Sequence, residues 1–237
     1  MGYQILGWDS DFFGIKVARI SEPFLTIENL TTILAELKQK SVTLVYWPSH
    51  REQNIHDIRK LGGLLVDPKT TFMIDFRLID LNDFGSTDIV VPYSISMQLS
   101  DLEDLAIQSG EYSRFAIDPQ IPEEKFEMLY KTWINRSLHR EIAREVLVIQ
   151  EAGQVVGMVT LGDKEGRGDI GLIAVDTCCR GKKYGETLVR AAQKWFIKNG
   201  YEFGQVVTQG RNIAACNLYK KCGYSVEKVE YFYHFWL

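Results

Sequence analysis

The segment Val175-Asp176-Thr177-Cys178-Cys179-Arg180-Gly181-Lys182-Lys183-Tyr184-Gly185-Glu186-Thr187-Leu188 has the residue types of an anion site. It joins an apolar run that reads as a strand to a stripe that reads as a helix. The first N–H groups of a helix lack internal partners, and the helix dipole adds positive potential there. Arg180, Lys182 and Lys183 add formal charge, and Gly181 and Gly185 let a ligand come close to the backbone. Such a corner suits a pyrophosphate; a plain strand–loop–helix corner with solvated lysines would look the same. A second segment, Asn212 to Tyr224, reads as an amphipathic helix with Gly223 at its C-terminal end. Metal chemistry is not expected, because His50, His56, His139 and His234 are scattered without ligand spacing. Cys178, Cys179, Cys216 and Cys222 form no CxxC pair and read as reduced thiols of a cytoplasmic protein.

These residues need elements to hold them. In the first third, Ile15–Ile20 reads as a strand, Thr26–Lys40 as a helix, and Val42–Trp47 as a strand stopped by Pro48. Gln53–Leu61 reads as a helix and Thr71–Leu78 as a strand. The polar stretch Leu81–Asp88 is the one plausible seam. Domains are therefore expected over 1–84, an N-terminal α/β unit, and 85–237.

Beyond the seam, Ser100 with Glu103 predicts a capping box for a helix through Gln108. Pro122 opens a helix carrying Phe126, Leu129, Tyr130, Trp133 and Ile134 on one face. Val146–Gln150, Val155–Leu161 and Ile170–Val175 read as strands. The stripe from Tyr184 to Phe196 ends at Gly200, a good residue for leaving a helix. Gln205–Thr208 reads as a strand, Asn212–Cys222 as a helix, and Tyr231–Trp236 as a strand, either an edge or a homodimer seam. Together they predict an α/β (α+β) fold, a mixed, curved sheet packed with helices.

Composition agrees with a globular chain. The sequence has 237 residues, 46% hydrophobic and 24% charged. Its 27 Lys plus Arg against 31 Asp plus Glu give a net charge of −4, which disfavours nucleic acid as a partner. No apolar run is long enough for a membrane span, and the first ten residues do not read as a secretory signal.

The two segments, in this order, resemble the GNAT family of acetyl-CoA-dependent N-acetyltransferases. Its phosphate loop, [RQ]-x-x-[GA]-x-[GA], corresponds to Arg180-Gly181-Lys182-Lys183-Tyr184-Gly185, with Lys183 in place of a Gly or Ala. A residue with a Cβ still offers its N–H there if its φ is negative. The later pattern N-x-x-A-x-x-L-Y-x-K-x-G-[FY] is matched by Asn212, Ala215, Leu218, Tyr219, Lys221, Gly223 and Tyr224. The remainder is similar to the WecD-type dTDP-4-amino-4,6-dideoxygalactose (dTDP-fucosamine) N-acetyltransferases. Leu6-Gly7-Trp8-Asp9-Ser10-Asp11-Phe12-Phe13-Gly14 resembles their W-[DE]-x-x-F-F-G opening. Leu61-Gly62-Gly63-Leu64-Leu65-Val66-Asp67 resembles their L-G-F-x-L-V-[DE] stretch, and Ser113-Arg114-Phe115 with Trp133-Ile134 also fit.

The resemblance implies a GNAT fold and a reaction with acetyl-CoA as co-substrate and no metal. It places the pyrophosphate over Arg180, Gly181, Lys182, Lys183, Tyr184 and Gly185. It lays the pantetheine arm along Leu172, Ile173, Ala174 and Val175, flanked by Asn212, Ala215 and Leu218. The backbone N–H of Ile173 or Ala174 would stabilise the developing oxyanion, Tyr219 would protonate the leaving thiolate, and Asp67 would accept the amine proton. For Asp67 the bland reading is a turn residue before Pro68. Trp8, Phe12, Phe13, Arg114 and Phe115 are the expected acceptor-side residues, with plain core packing the alternative for the two phenylalanines. The implied acceptor is the 4-amino group of a dTDP-amino-dideoxyhexose used in cell-surface polysaccharide synthesis. A peptide, polyamine or antibiotic amine is the alternative, and a non-catalytic acyl-CoA sensor a third reading.

Overall fold

Gly168, Asp169 and Ile170 pair in parallel with Gly204, Gln205 and Val206, and beyond that register the two strands part. The rest of the architecture serves this split. The computed structural model describes residues 2–79 and 85–237, so the boundary expected at 84/85 and the first half of the seam lie outside the described residues. The elements run β1 (Tyr3–Ile5), α1 (Gly7–Phe13), β2 (Val17–Ile20), α2 (Ile27–Gln39), β3 (Leu44–Ser49), α3 (Ile55–Lys60) and β4 (Gly63–Asp75). They continue as β5 (Val90–Pro92), α4 (Leu99–Ser109), α5 (Arg114–Ile117), α6 (Glu123–Leu138), β6 (Glu145–Glu151), β7 (Gln154–Lys164) and β8 (Arg167–Val175). The last four are α7 (Tyr184–Lys198), β9 (Phe203–Gln209), α8 (Ile213–Lys221) and β10 (Ser225–Trp236).

All strands among the described residues join one sheet, in the order β1-β2-β3-β10-β4-β9-β8-β7-β6-β5. The aromatic C-terminal strand is thus interior: β10 lies between β3 and β4, antiparallel to both. The expectation of an edge strand or homodimer seam along Tyr231–Trp236 is corrected, because both of its backbone edges are spent inside the chain. Helices α7 and α8 cover one face, packing Leu188, Phe196 and Tyr219 on Phe72, Ile170 and Val206. Helices α4 to α6 cover the other, packing Leu102, Leu129 and Ile134 with Val146, Val148 and Met158. Leu30, Leu34 and Leu37 of α2 close the core near β3 and β10. Mixed strands between two helical layers make an α/β (α+β) fold, as expected. No helix among the described residues is long and apolar enough to cross a membrane.

Three local readings change. Pro48 lies within β3, opposite Phe232; β2 has ended by then, its last partner being Tyr46, and an edge position tolerates a missing donor. Helix α4 begins at Leu99 with Gln98 at its N-cap, so Ser100 sits in the first turn, not at the cap. Glu103 instead accepts a hydrogen bond from Asn135 Nδ2 at 2.9 Å, tying α4 to α6. Strand β4 starts at Gly63, well before the expected Thr71, so Asp67-Pro68 is mid-strand and not a turn.

Candidate active site

The split between β8 and β9 is caused by a bulge. Opposite Thr160 of β7, β8 places two residues, Gly171 and Leu172. A bulge bends its strand, while β9 stays with β4 as far as Lys69↔Gln209. Thr160 Oγ1 accepts the Leu172 N–H at 2.7 Å. Residue 171 must be glycine for this, since a Cβ there would stand 2.8 Å from the same hydroxyl. Past the bulge, the Asp176 N–H reaches the Val156 carbonyl. Backbone groups alternate along a strand, so Leu172, Ala174 and Asp176 face β7, whereas Ile173 and Val175 turn theirs toward the opening. Of the two expected oxyanion donors, Ile173 is therefore the one whose N–H faces the cleft.

The opening is a cleft of about 670 Å³. Leu172, Ile173, Ala174 and Val175 form one wall, and Val207, Thr208 and Gln209 of β9 form the other. At one end lies the loop before α7. Asp176 Oδ1 accepts the Cys178 N–H at 2.8 Å, and Arg180 Nε donates to the Val175 carbonyl at 3.3 Å, fastening the loop to the strand end. Gly181 has φ +85° and Lys183 φ +65°. The condition of a negative φ at Lys183 is therefore not met: the residue is carried in the left-handed region, where the family pattern has Gly or Ala. A non-glycine residue there costs roughly 1–2 kcal/mol. Its N-cap position brings no side-chain hydrogen bond to α7. The first intrahelical bond shown there is Thr187 N–H to the Lys183 carbonyl, so the N–H groups of Tyr184, Gly185 and Glu186 have no place in the helical ladder. A Cβ on Gly185 would approach Leu218 Cδ2 to 3.2 Å, so glycine keeps this cradle open.

The expected loop residues separate. Arg180, Gly181, Lys183, Tyr184 and Gly185 line the cleft, and Lys182 does not. Lys182 Nζ donates to both oxygens of Glu151, at 2.9 and 2.7 Å, and the Tyr184 hydroxyl donates to the same carboxylate. These donors, Lys182 first, hold the Glu151 carboxyl below its usual range. Asn212, Ala215 and Leu218 line the opposite side. Asn212 Oδ1 accepts the Ala215 N–H at 3.0 Å and caps α8, which fixes the first turn leading to Tyr219.

Tyr219 and Asp67 both border the cleft. Tyr219 is buried, with its ring 5.7 Å from Phe72. Burial pushes its phenol well above the ordinary value, so it stays protonated and able to donate. Asp67 is 5% exposed. It follows a bulge in β4, since Phe232 pairs with Asp67 and Tyr233 with Leu65, leaving Val66 extra. Burial pushes its carboxyl up to about 7, against the opposing charges of Arg114, Lys69 and Arg211.

On the acceptor side, Arg114 and Phe115 line the cleft, whereas Trp8, Phe12 and Phe13 do not. These three form a ladder behind it. Trp8 stacks on Phe12 at 5.2 Å, Phe12 meets Phe13 edge-on, and Phe13 stacks on Phe115 at 6.0 Å. Phe12 and Phe13 thus support the wall. Trp8 at the ladder's outer end is 44% exposed. Sequence reasoning missed Lys69, Gln108, Tyr112 and the β9 wall, all of which border the cleft. Strand pairing brings Lys69 and the β9 wall there, and the packing of α4 on β8 brings Gln108 and the turn that carries Tyr112; a single sequence displays neither. Among the described residues no cluster of ligating side chains could hold a metal, and the four cysteines are free.

The sequence profile of the acetyltransferase (GNAT) family matches residues 107–224, the stretch that supplies all of the cleft lining except Asp67 and Lys69. The chain belongs to the GNAT acetyltransferase superfamily. The spore coat polysaccharide biosynthesis protein SpsD of Bacillus subtilis is 24% identical over 133 residues, 56% of this GNAT chain and 46% of SpsD. A streptothricin acetyltransferase from Escherichia coli is 35% identical over 60 residues, 25% of this chain and 34% of that protein. The chain thus spans less than half the length of either curated relative. A GCN5-related N-acetyltransferase from Sphaerobacter thermophilus superposes with a TM-score of 0.61 at 14% identity, covering 98% of this chain and 75% of that one. That likeness extends the shared fold to the N-terminal strands, outside the profile match.

Proposed function

We propose that this GNAT protein transfers an acetyl group from acetyl-CoA to the 4-amino group of a dTDP-amino-dideoxyhexose. The observation that carries the transferase reading is a single cleft with unladdered N–H groups at one end and Tyr219 and Asp67 further along it. The residues present suit the co-substrate. The nest of Gly181 and Lys183 and the start of α7 offer donors to a pyrophosphate, and the unpaired edge of β8 offers the Val175 N–H and the Ile173 C=O to an amide-bearing arm. Acetyl-CoA supplies an activated acetyl thioester there.

The chain's own groups then divide the work. The amine attacks only as a free base, so its proton passes to Asp67, directly or through one water. A carboxyl near 7 is matched to that task at neutral pH. The Ile173 N–H donates to the carbonyl oxygen as it gains negative charge, a kind of interaction worth about 3 kcal/mol. As the C–S bond breaks, the Tyr219 hydroxyl gives its proton to the departing sulfur and is reprotonated by the proton that the acylated nitrogen releases through water, while the proton on Asp67 leaves to solvent.

The sugar-nucleotide acceptor is supported by SpsD, whose name places it in polysaccharide biosynthesis, and by the acceptor-side lining. Tyr112, Phe115 and Trp133 offer faces for a sugar or base, and Lys69 and Arg114 make this end electropositive despite the net charge of −4. The test is acetyl-CoA consumption with dTDP-4-amino-hexoses, peptides, polyamines and streptothricin side by side. The highest kcat/KM is expected for a dTDP-amino sugar. Turnover confined to streptothricin or a peptide amine would replace this acceptor, and tight acetyl-CoA binding without turnover of any amine would leave a sensor.

A further inference from the structure

Asp67 stands directly opposite Phe232 in the β4–β10 pairing, and Tyr46 opposite His234 in the β3–β10 pairing. Directly opposed residues share a face of a sheet, as do alternate residues of one strand. Asp67, Phe232, His234 and Tyr46 therefore rise from the same side, and α5 lies across them. Its first residue, Arg114, places its guanidinium 4.9 Å from the ring centres of both Tyr46 and Phe232 and 4.5 Å from that of Phe115. Arg114 Nε and Asp67 Oδ1 are buried without hydrogen-bond partners among the described residues.

At the far end of α5, Asp118 is buried and accepts hydrogen bonds from His234 Nδ1 at 2.6 Å and Trp236 Nε1 at 2.9 Å. Both donors belong to β10. This latch pins α5 to the strand that faces Asp67. Burial holds His234 down to about 4, so it is neutral and donates through Nδ1. The reaction described above uses neither Asp118 nor His234.

Resting on the acetyltransferase reading, we propose that Arg114 is a positioning residue that keeps the Asp67 carboxylate charged and free to take the amine proton, and that the Asp118–His234–Trp236 latch holds Arg114 in place. The three rings explain the arrangement. A guanidinium free to swing would form a bidentate pair with the carboxylate, drop it into the ordinary carboxylate range and occupy the lone pairs the amine needs. Held among Tyr46, Phe115 and Phe232, with Asp9 of α1 the other carboxyl its charge acts on, Arg114 opposes the effect of burial without capturing the base. The other charges acting on Asp67 are weaker: Lys69 of β4, itself 3.4 Å from Glu230, and Arg211 beyond β9. The neighbouring Tyr130 of α6 is held above its usual range by burial and stays neutral.

The experiment is a 13C NMR titration of the Asp67 side-chain carboxyl in the cofactor-free full chain, for wild type, Arg114→Gln, Arg114→Lys and Asp118→Asn. The wild-type midpoint is expected near 7. Arg114→Gln should raise it by about one pH unit, a tenfold gain in proton affinity. Arg114→Lys should restore part of the shift, and Asp118→Asn should move it upward by less; these two conservative variants keep the test alive if Arg114→Gln does not fold. The acid limb of kcat/KM should move with each midpoint. An unchanged midpoint in the arginine variants, with only a raised KM for an anionic acceptor, would overturn the proposal and make Arg114 a substrate ligand. Because the titration needs no turnover, absence of acetyl transfer with the midpoint shift intact would count against the enzymatic reading and uphold the coupling.

Discussion

Thr160 Oγ1 lies 2.7 Å from the backbone nitrogen of Leu172 and accepts its N–H inside the bulge that opens the sheet. This one hydroxyl satisfies a donor that the bulge would otherwise orphan, and it thereby sets which N–H groups of β8 face the cleft. Thr160→Val keeps the shape and removes the acceptor. Leaving a buried N–H unpaired costs about 1–3 kcal/mol. The variant should show that loss in denaturant unfolding and a lower kcat with KM for the amine little changed. Wild-type stability in Thr160→Val would mean the bulge is held by something else.

Tyr219→Phe should retain coenzyme A binding and lose about 10²–10⁴ in kcat, the range of a general acid. Burial keeps the phenol protonated far above neutrality, so no basic limb below pH 10 should arise from it in wild type. Steady-state kinetics on the variant decide the matter, and unaltered turnover would remove Tyr219 from the reaction.

Asp67 gives a pH prediction with a definite sign. Its carboxyl is raised from 3.8 to about 7 in the fold, so the base form, and with it the rate, is lost as pH falls through about 7. Asp67→Asn should abolish that limb and lower kcat. The same shift acts on stability in the other direction. A carboxyl raised in the folded state contributes most below 3.8, and the contribution disappears as pH rises to about 7. Asp67→Asn should therefore gain melting temperature relative to wild type at pH 8, with a smaller gain or none near pH 4. A difference independent of pH would contradict the assigned burial effect.

Much of this site is legible in the sequence because it is made of local patterns. The run from Arg180 to Gly185 and the run from Asn212 to Tyr224 each sit on one strand–helix or loop–helix corner, and both reach the cleft. What the sequence does not display is pairing. The place of β10 at the centre of the sheet, the bulge that delivers Asp67, and the β9 wall all depend on which strand lies beside which. Asp67-Pro68 reads as a turn for that reason: local turn propensity is overridden by β10 on one edge. Lys182 misleads in a similar way, since its charge is visible but its partner Glu151 is distant in sequence.

Lys182 and Lys183 should accordingly behave differently. Lys182→Ala removes a solvent-screened surface pair with Glu151 and should leave coenzyme A affinity nearly unchanged. Lys183→Gly relieves a left-handed residue at φ +65° and should raise the melting temperature, whereas Lys183→Val should lower it, since a β-branched side chain fits that region poorly. Calorimetric melting of the two Lys183 variants checks this, and equal melting temperatures would contradict the strained geometry.

The most direct test of the account is an amide chemical-shift titration of the labelled chain with coenzyme A. Saturable shifts at one equivalent are predicted for Gly181, Lys183, Tyr184, Gly185 and Glu186 at the start of α7, together with Ile173 on the open edge of β8. If coenzyme A moves none of these signals, or binds while moving only others, the nucleotide does not lie in this cleft and the mechanism built on it is wrong.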